Sequence, residues 1–252
     1  MVVHRRQLAK IGNRGCSDNR NPLTGAAKSG LYTVFRVVIQ APNQQGIIGL
    51  MLSDVLDFVF PTQCAVCGEA PSPICHRCVP SAGIYRSSFQ GLPVWYCLEY
   101  QADIAAILKA YKDQARLSLL PCLGGLWSPA LTAAVSALGP DFITAPARNR
   151  QNYIRRGFDP VGRLFSATKM PGAKKDLRLI RFERKIKDQR KLSAFERQKN
   201  VAGSMHSEPG SGSVLLIDDV MTTGATVAEC IRALQSAGYE VIGICVLAKR
   251  IL

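Results

Sequence analysis

Two groups of residues in this 252-residue chain have the types and spacing for chemistry. The first is a set of four cysteines, Cys64-x2-Cys67 and Cys75-x2-Cys78, with seven residues between the pairs. Each pair forms a knuckle whose two sulfurs can face one metal, and two knuckles complete a tetrahedral thiolate site. All four ligands would come from protein, so the pattern predicts a closed, structural zinc site. Gly68 suits the tight knuckle turn, and His76 is a bystander within the second pair, although imidazole could replace one thiolate. A reduced thiol cluster without metal is the alternative. Cys16, Cys97, Cys122, Cys230 and Cys245 stand in apolar or irregular surroundings and read as small hydrophobes.

The second group is Asp218-Asp219-Val-Met-Thr222-Thr223-Gly224-Ala225-Thr226. An apolar strand, Val214–Ile217, delivers two adjacent carboxylates to its end, and a hydroxyl-rich loop then runs into a helix. Backbone N–H groups and threonine hydroxyls there can converge on one phosphate, which the helix dipole also favours. Gly224 lets the backbone approach closely. The carboxylates behind the loop suit ribose hydroxyls or a hydrated Mg²⁺. A buried strand with a capped turn is the plain alternative, but two tandem carboxylates are costly to bury unpaired. A nucleoside-triphosphatase reading needs a GxxxxGK[ST] loop, which the sequence lacks. A receiver-domain reading needs a phosphate-accepting Asp on an earlier strand, which is not found.

The elements that must position these groups follow from periodicity. Apolar residues Leu52, Val55, Leu56 and Val59 predict a short helix ended by Pro61. From about Trp95 a helical pattern is expected, with Ile104, Ile107, Leu108 and Tyr111 on one face and Leu117, Leu120 and Leu123 further on. A short apolar helix is expected at 130–138, stopped by Gly139-Pro140, then a strand at Phe142–Thr144. Gly157 and Gly172 break the basic segment that follows. Ala225–Ala237 reads as a helix capped by Gly238, and Val241–Leu247 as a second fully apolar strand. Strand–helix–strand with apolar strands predicts an α/β fold with a parallel sheet covered by helices. The expected organisation is a basic extension over 1–50 with too few apolar residues to fold, a helix and zinc module over 51–83, and an α/β domain over 84–252. Met51 is a plausible alternative start.

The net charge of +14 is uneven. Residues 148–200 hold 17 basic and 5 acidic residues, and residues 1–50 hold 7 and 1. Such an excess favours phosphates or nucleic acid, although a solvated basic loop has the same composition. The richest apolar stretch weighed as a membrane span, Ile47–Phe60, is short and carries Asp54 and Asp57, and no signal peptide is evident. These readings predict a cytoplasmic protein without a membrane span, where clustered cysteines bind metal and do not form disulfides.

LLIDDVMTTGAT resembles the phosphoribosyl-pyrophosphate motif of type I phosphoribosyltransferases. That resemblance implies that Asp218 and Asp219 contact the ribose hydroxyls, and that Thr222, Thr223, Gly224, Ala225 and Thr226 cradle the 5′-phosphate, with Mg²⁺ on the pyrophosphate and ribose. The order of modules is similar to the competence ComF/GntX family, over about 51–252. Ile143-Thr-Ala-Pro146-Ala-Arg148 resembles its PVP strand end. Arg155-Arg156-Gly157-Phe158 resembles the start of its RGFNQ motif. Arg184 to Gln189 with Leu192, Arg197 and Asn200 resembles a further signature, and Lys109 and Lys112 the lysines of its LKY-type helix. Arg148 and Arg156 are thereby implied in ligand binding. Asp159-Pro160 departs from the usual Asn-Gln, and Ala145 from the usual Val. The resemblance implies either a phosphoribosyltransferase of unassigned acceptor, or a zinc-containing binding protein for single-stranded DNA or DNA-uptake and helicase machinery.

Overall fold

The structure is a computed structural model that describes residues 63–69, 71–168, 170, 174–184 and 194–251. The basic extension, the helix expected over 51–60, Gly172, Gln189 and Leu192 lie outside the described residues.

A six-stranded sheet has the order β1-β2-β8-β7-β3-β4. Strands β1 (Tyr85–Phe89) and β2 (Leu92–Glu99) form an antiparallel hairpin. All other neighbours are parallel: β2 with β8 (Tyr239–Lys249), β8 with β7 (Gly212–Met221), β7 with β3 (Phe142–Thr144), and β3 with β4 (Lys174–Lys175). Successive residues of β7 enter opposite cores. Leu215 and Ile217 pack on one side with Trp95, Cys97 and Cys245, and Val214 and Leu216 pack on the other with Val94, Tyr96 and Val246. Burial on both faces explains why these strands are continuous apolar runs without alternation.

Helices α1 (Ala102–Asp113), α2 (Leu120–Leu138) and α4 (Pro160–Ser166) supply the first core with Ile107, Tyr111, Trp127, Leu131 and Phe165. Helix α6 (Ala225–Ser236) covers the second face through Val227, Cys230, Ile231 and Leu234. A small antiparallel pair, β5 (Ile180–Phe182) and β6 (Met205–Ser207), packs beside α6. Helices α3 (Arg150–Arg156) and α5 (Ala194–Val201) and a short 3-10 helix, Leu117–Leu119, complete the described elements.

Three expectations change. Trp95 opens no helix: it lies in β2, whose side chains are buried on both faces, so an apolar run there mimics a helical one. The helix expected at 130–138 begins ten residues earlier, at Leu120, and runs through Pro129. Proline there removes the N–H that would bond the Gly125 carbonyl. Finally, against the expectation of no membrane span, Leu117–Leu138 is long and apolar enough to cross a membrane by length and composition. Its buried face, Leu123, Trp127, Ala130, Leu131 and Ala134, packs in the core beside β8 and β2.

Candidate active site and metal centre

Strand β7 does not end at Ile217. It continues to Met221, with Asp218 opposite Val246 and Val220 opposite Ala248, so the two carboxylates sit within its last turns of pleat. Asp218 Oδ1 accepts from the Asp219 backbone N–H at 2.8 Å. Asp219 is buried, and its Oδ2 lies 2.7 Å from Lys112 Nζ on α1. Burial pushes the Asp218 carboxyl up to about 8, with the Asp219 charge adding to the rise and Lys112 opposing it. The pair therefore carries less negative charge at neutral pH than two free carboxylates.

Beyond Met221 the chain turns through Thr222 and Thr223 into Gly224, the N-cap of α6, at φ 77°. A β-carbon at Gly224 would stand 2.5 Å from the Phe89 ring and 3.0 Å from Met221 Cε. Both the backbone angle and the space thus require glycine. Thr223 Oγ1 accepts from Ala225 N at 3.4 Å, which folds the hydroxyl over the helix start. These residues line a cleft of about 550 Å³ together with Lys109, Lys112 and Arg156. Arg156 reaches it from the end of α3, held by Asp113 at 3.0 Å, and its Nε is buried without a hydrogen-bond partner.

The structure thus brings Asp218, Asp219, Thr222, Thr223, Gly224, Ala225, Thr226 and Arg156 together. It places Arg148 elsewhere: its guanidinium lies over the Tyr153 ring at 4.2 Å and lines a different cleft. The Asp159-Pro160 departure has a local use. Asp159 is extended, its side chain accepts from Gly162 N at 3.3 Å, and Pro160 takes the first position of α4, where no N–H is needed. Phe158 packs against Tyr111, whose hydroxyl donates to Pro160 O, so this turn is fastened to α1.

Three contributors were missed from the sequence. Phe89, from the unforeseen β1–β2 hairpin, walls the loop at Gly224. Asp113 holds Arg156. Glu229, buried on α6, accepts from Gly203 N at 2.9 Å and Met205 N at 2.8 Å and pairs with Arg232, which donates to Met205 O. Burial raises the Glu229 carboxyl, but Arg232 and the two backbone donors outweigh it and hold it below its ordinary value. A Glu-x2-Arg pair on an otherwise apolar helix was the signal available for it.

At the other centre the four sulfurs of Cys64, Cys67, Cys75 and Cys78 lie within 4.8 Å of one another, and those of Cys67 and Cys75 are 3.7 Å apart. Zn–S bonds of about 2.3 Å in tetrahedral geometry require sulfurs about 3.8 Å apart, so the set fits zinc. Burial raises the Cys64 thiol, yet backbone N–H groups of Cys67, Cys75 and Val66 outweigh it and bring it to about 6. Cys78 is pushed up by burial and by the neighbouring sulfurs. Four thiols this close cannot all ionise without a cation among them. Ile74 and Cys78 pack against the first core, which ties the knuckles to the sheet.

The carboxylate pair does not make a comparable cage for Mg²⁺. Asp219 is already neutralised by Lys112, and Asp218 favours its protonated form, so a magnesium ion here must bring most of its oxygens with its ligand.

Comparison with known families matches the C-terminal part of the chain. Residues 157–251 match the family model described as a phosphoribosyl transferase domain. Among curated proteins, a 47-residue stretch is 47% identical to the orotate phosphoribosyltransferase of Desulforamulus reducens, covering 19% of this chain and 24% of that protein. The chain thus spans about a quarter of the length of the curated relative it matches. Among solved structures, an adenine phosphoribosyltransferase aligns over 66% of this chain and 84% of its own, at 11% identity and a TM-score of 0.34. The adenine phosphoribosyltransferase from Thermoanaerobacter pseudethanolicus aligns over 66% and 95%, at 15% identity and a TM-score of 0.30.

Proposed function

We propose that the cleft at the end of β7 binds 5-phosphoribosyl 1-pyrophosphate, carrying its own Mg²⁺, and that the chain transfers the phosphoribosyl group to a nitrogen nucleophile in the manner of the ComF/GntX proteins it resembles. The observation that carries this is one cleft combining the strand-borne Asp218 and Asp219, the loop 222–226 at a helix N-terminus, and three cations, Lys109, Lys112 and Arg156.

The loop N–H groups and the hydroxyls of Thr222, Thr223 and Thr226 hold the 5′-phosphate at the positive end of α6. Asp218 and Asp219 accept from the ribose hydroxyls, and Lys112 fixes Asp219 for that contact. Arg156, with an unused buried donor, and Lys109 face the pyrophosphate. In the reaction the C1–O bond to pyrophosphate breaks, and its electron pair leaves with the pyrophosphate. A C1–N bond forms to the acceptor, which then loses a proton. Charge placed before the leaving group departs, and alignment of the two partners, supply the catalysis. Magnesium adds neutralisation of the pyrophosphate when it accompanies the ligand. The four-cysteine centre holds zinc as a structural ion.

A second reading, a non-catalytic accessory protein for single-stranded DNA or the DNA-uptake and helicase machinery, draws on the +12 excess of residues 148–200. A screen for pyrophosphate release with nucleobases and amines as acceptors separates the two. Acceptor-dependent release supports transfer. No release with any acceptor, together with DNA binding that falls steeply with salt, supports the accessory role.

A further inference from the structure

A second cleft, of about 960 Å³, exceeds the one at the end of β7 and includes the turn at Gly157 in its lining. Six arginines line it: Arg148, Arg150, Arg163, Arg178, Arg181 and Arg184. They arrive from three places in the chain, the segment that opens α3, helix α4, and the strand β5 with its flanks. Only two carboxylates share the lining, and Asp159 is already used to cap α4.

Of the six, Arg181 forms an exposed ion pair with Glu208 at 3.9 Å. Arg184 is anchored by the carbonyls of Asn200 and Ala202, and Arg148 lies flat on Tyr153. Arg150, Arg163 and Arg178 form no ion pair among the described residues and are exposed to solvent. Free guanidinium forks of this kind suit phosphate oxygens, which they bind bidentately. The lining also includes the apolar and aromatic residues Leu177, Ile180, Phe182, Phe158 and Tyr153. The Arg148–Tyr153 stack is a preformed flat surface against which a planar ring can lie. A concavity of this volume is of the size that encloses a small molecule. A polymer backbone would call for a continuous basic stripe, and here the cations converge around a hollow.

We propose that this arginine-lined cleft is a second ligand site, separate from the loop at Gly224, and that it takes a nucleotide: a polyphosphate held by the arginines, with a flat heterocyclic ring on the aromatic wall. The site stands whether or not the β7 cleft binds phosphoribosyl pyrophosphate. The backbone of its β5 side is held through β6 by Glu229 and Arg232 of α6, the helix whose first turn carries that loop.

The test is calorimetric titration of the full chain with adenosine triphosphate at low salt, repeated with saturating phosphoribosyl pyrophosphate, with inorganic tripolyphosphate, and with a single-stranded oligonucleotide. The expected result is one nucleotide per chain, bound as well with the pyrophosphate present as without it, and more tightly than tripolyphosphate. Arg163→Glu with Arg178→Glu, both at exposed positions, should weaken the nucleotide by about tenfold or more and leave phosphoribosyl pyrophosphate unchanged. If the double variant loses its thermal transition, Arg178→Gln alone carries the comparison, with a smaller loss in the same direction. Competition between the two ligands, equal binding by the charge-reversed variant, or heat from the oligonucleotide with none from adenosine triphosphate would each overturn the proposal.

Discussion

Asp218 is the residue whose ionisation says most about the site. A carboxyl raised to about 8 favours the folded state while protonated. Its contribution is complete below the ordinary carboxylate value near 3.8 and is lost as the pH rises through about 8. The melting temperature is therefore expected to fall between roughly pH 4 and pH 8, and Asp218→Asn, which stays neutral, should flatten that fall. A wild-type and variant pair with parallel pH profiles would place the charge elsewhere. Gly224 is the second decisive residue. Gly224→Val meets both a backbone angle of 77° and the Phe89 ring, so it should disrupt the loop and abolish phosphate binding. Phe89→Ala removes the ring but not the angle, so the double variant should not recover binding.

At the scale of elements, α6 does two jobs. Its first turn forms the candidate phosphate cradle, and its second and third turns hold β6 through Glu229 and Arg232. Glu229→Gln turns one of the two acceptor oxygens into an NH2 group, which faces a backbone donor and cannot accept. It should cost on the order of 1–3 kcal/mol, read as a lowered melting temperature and faster amide exchange at Gly203 and Met205. Unchanged exchange at those two amides would show that β6 is held by other contacts. The strand–loop–helix from Val214 to Ser236 was legible in the sequence because a strand buried on both faces, a tandem acid pair and a glycine-led helix leave local marks. Strand β2 was not. Its Trp95, Cys97, Val94 and Tyr96 divide between two cores, and an unbroken apolar run has no period of its own. Arg148 was misplaced for a related reason. It stands only eight residues before Arg156, but it precedes the cap at Asn149 while Arg156 ends α3, and the two line different clefts. Chain proximity carried no information about which cleft each would face.

In the whole molecule the cysteine knuckles are part of the same core as the sheet. Ile74 and Cys78 pack with the first cluster, and Gly83 N–H bonds Cys97 O on β2. Freshly purified, reduced protein should contain about one zinc per chain. Cys67→Ser or a strong chelator should remove it and lower the melting temperature, because metal binding and local folding are coupled. Metal-free protein with an unchanged melting temperature would make the four thiols a cluster without an ion. Their geometry was readable from spacing alone, since four ligands within 15 residues have few other arrangements. The basic excess of residues 148–200 was readable as charge. Its division between two clefts depended on tertiary contacts, Asp113 with Arg156 and Tyr153 with Arg148, that no local pattern encodes.

The central claim is that the β7 cleft recognises a phosphoribosyl pyrophosphate with its magnesium, and calorimetry of that ligand against four proteins tests it most directly. Wild-type protein should bind one equivalent. Asp219→Asn should weaken it by roughly ten- to a hundredfold, the loss of one charge-assisted hydrogen bond, and Asp218→Asn should weaken it less, since that carboxyl is already largely protonated at neutral pH, while inorganic phosphate binds as before. Gly224→Val should bind neither. Folded wild-type protein that gives no heat with the ligand and Mg²⁺, or aspartate variants that bind it as well as wild type, would contradict the account.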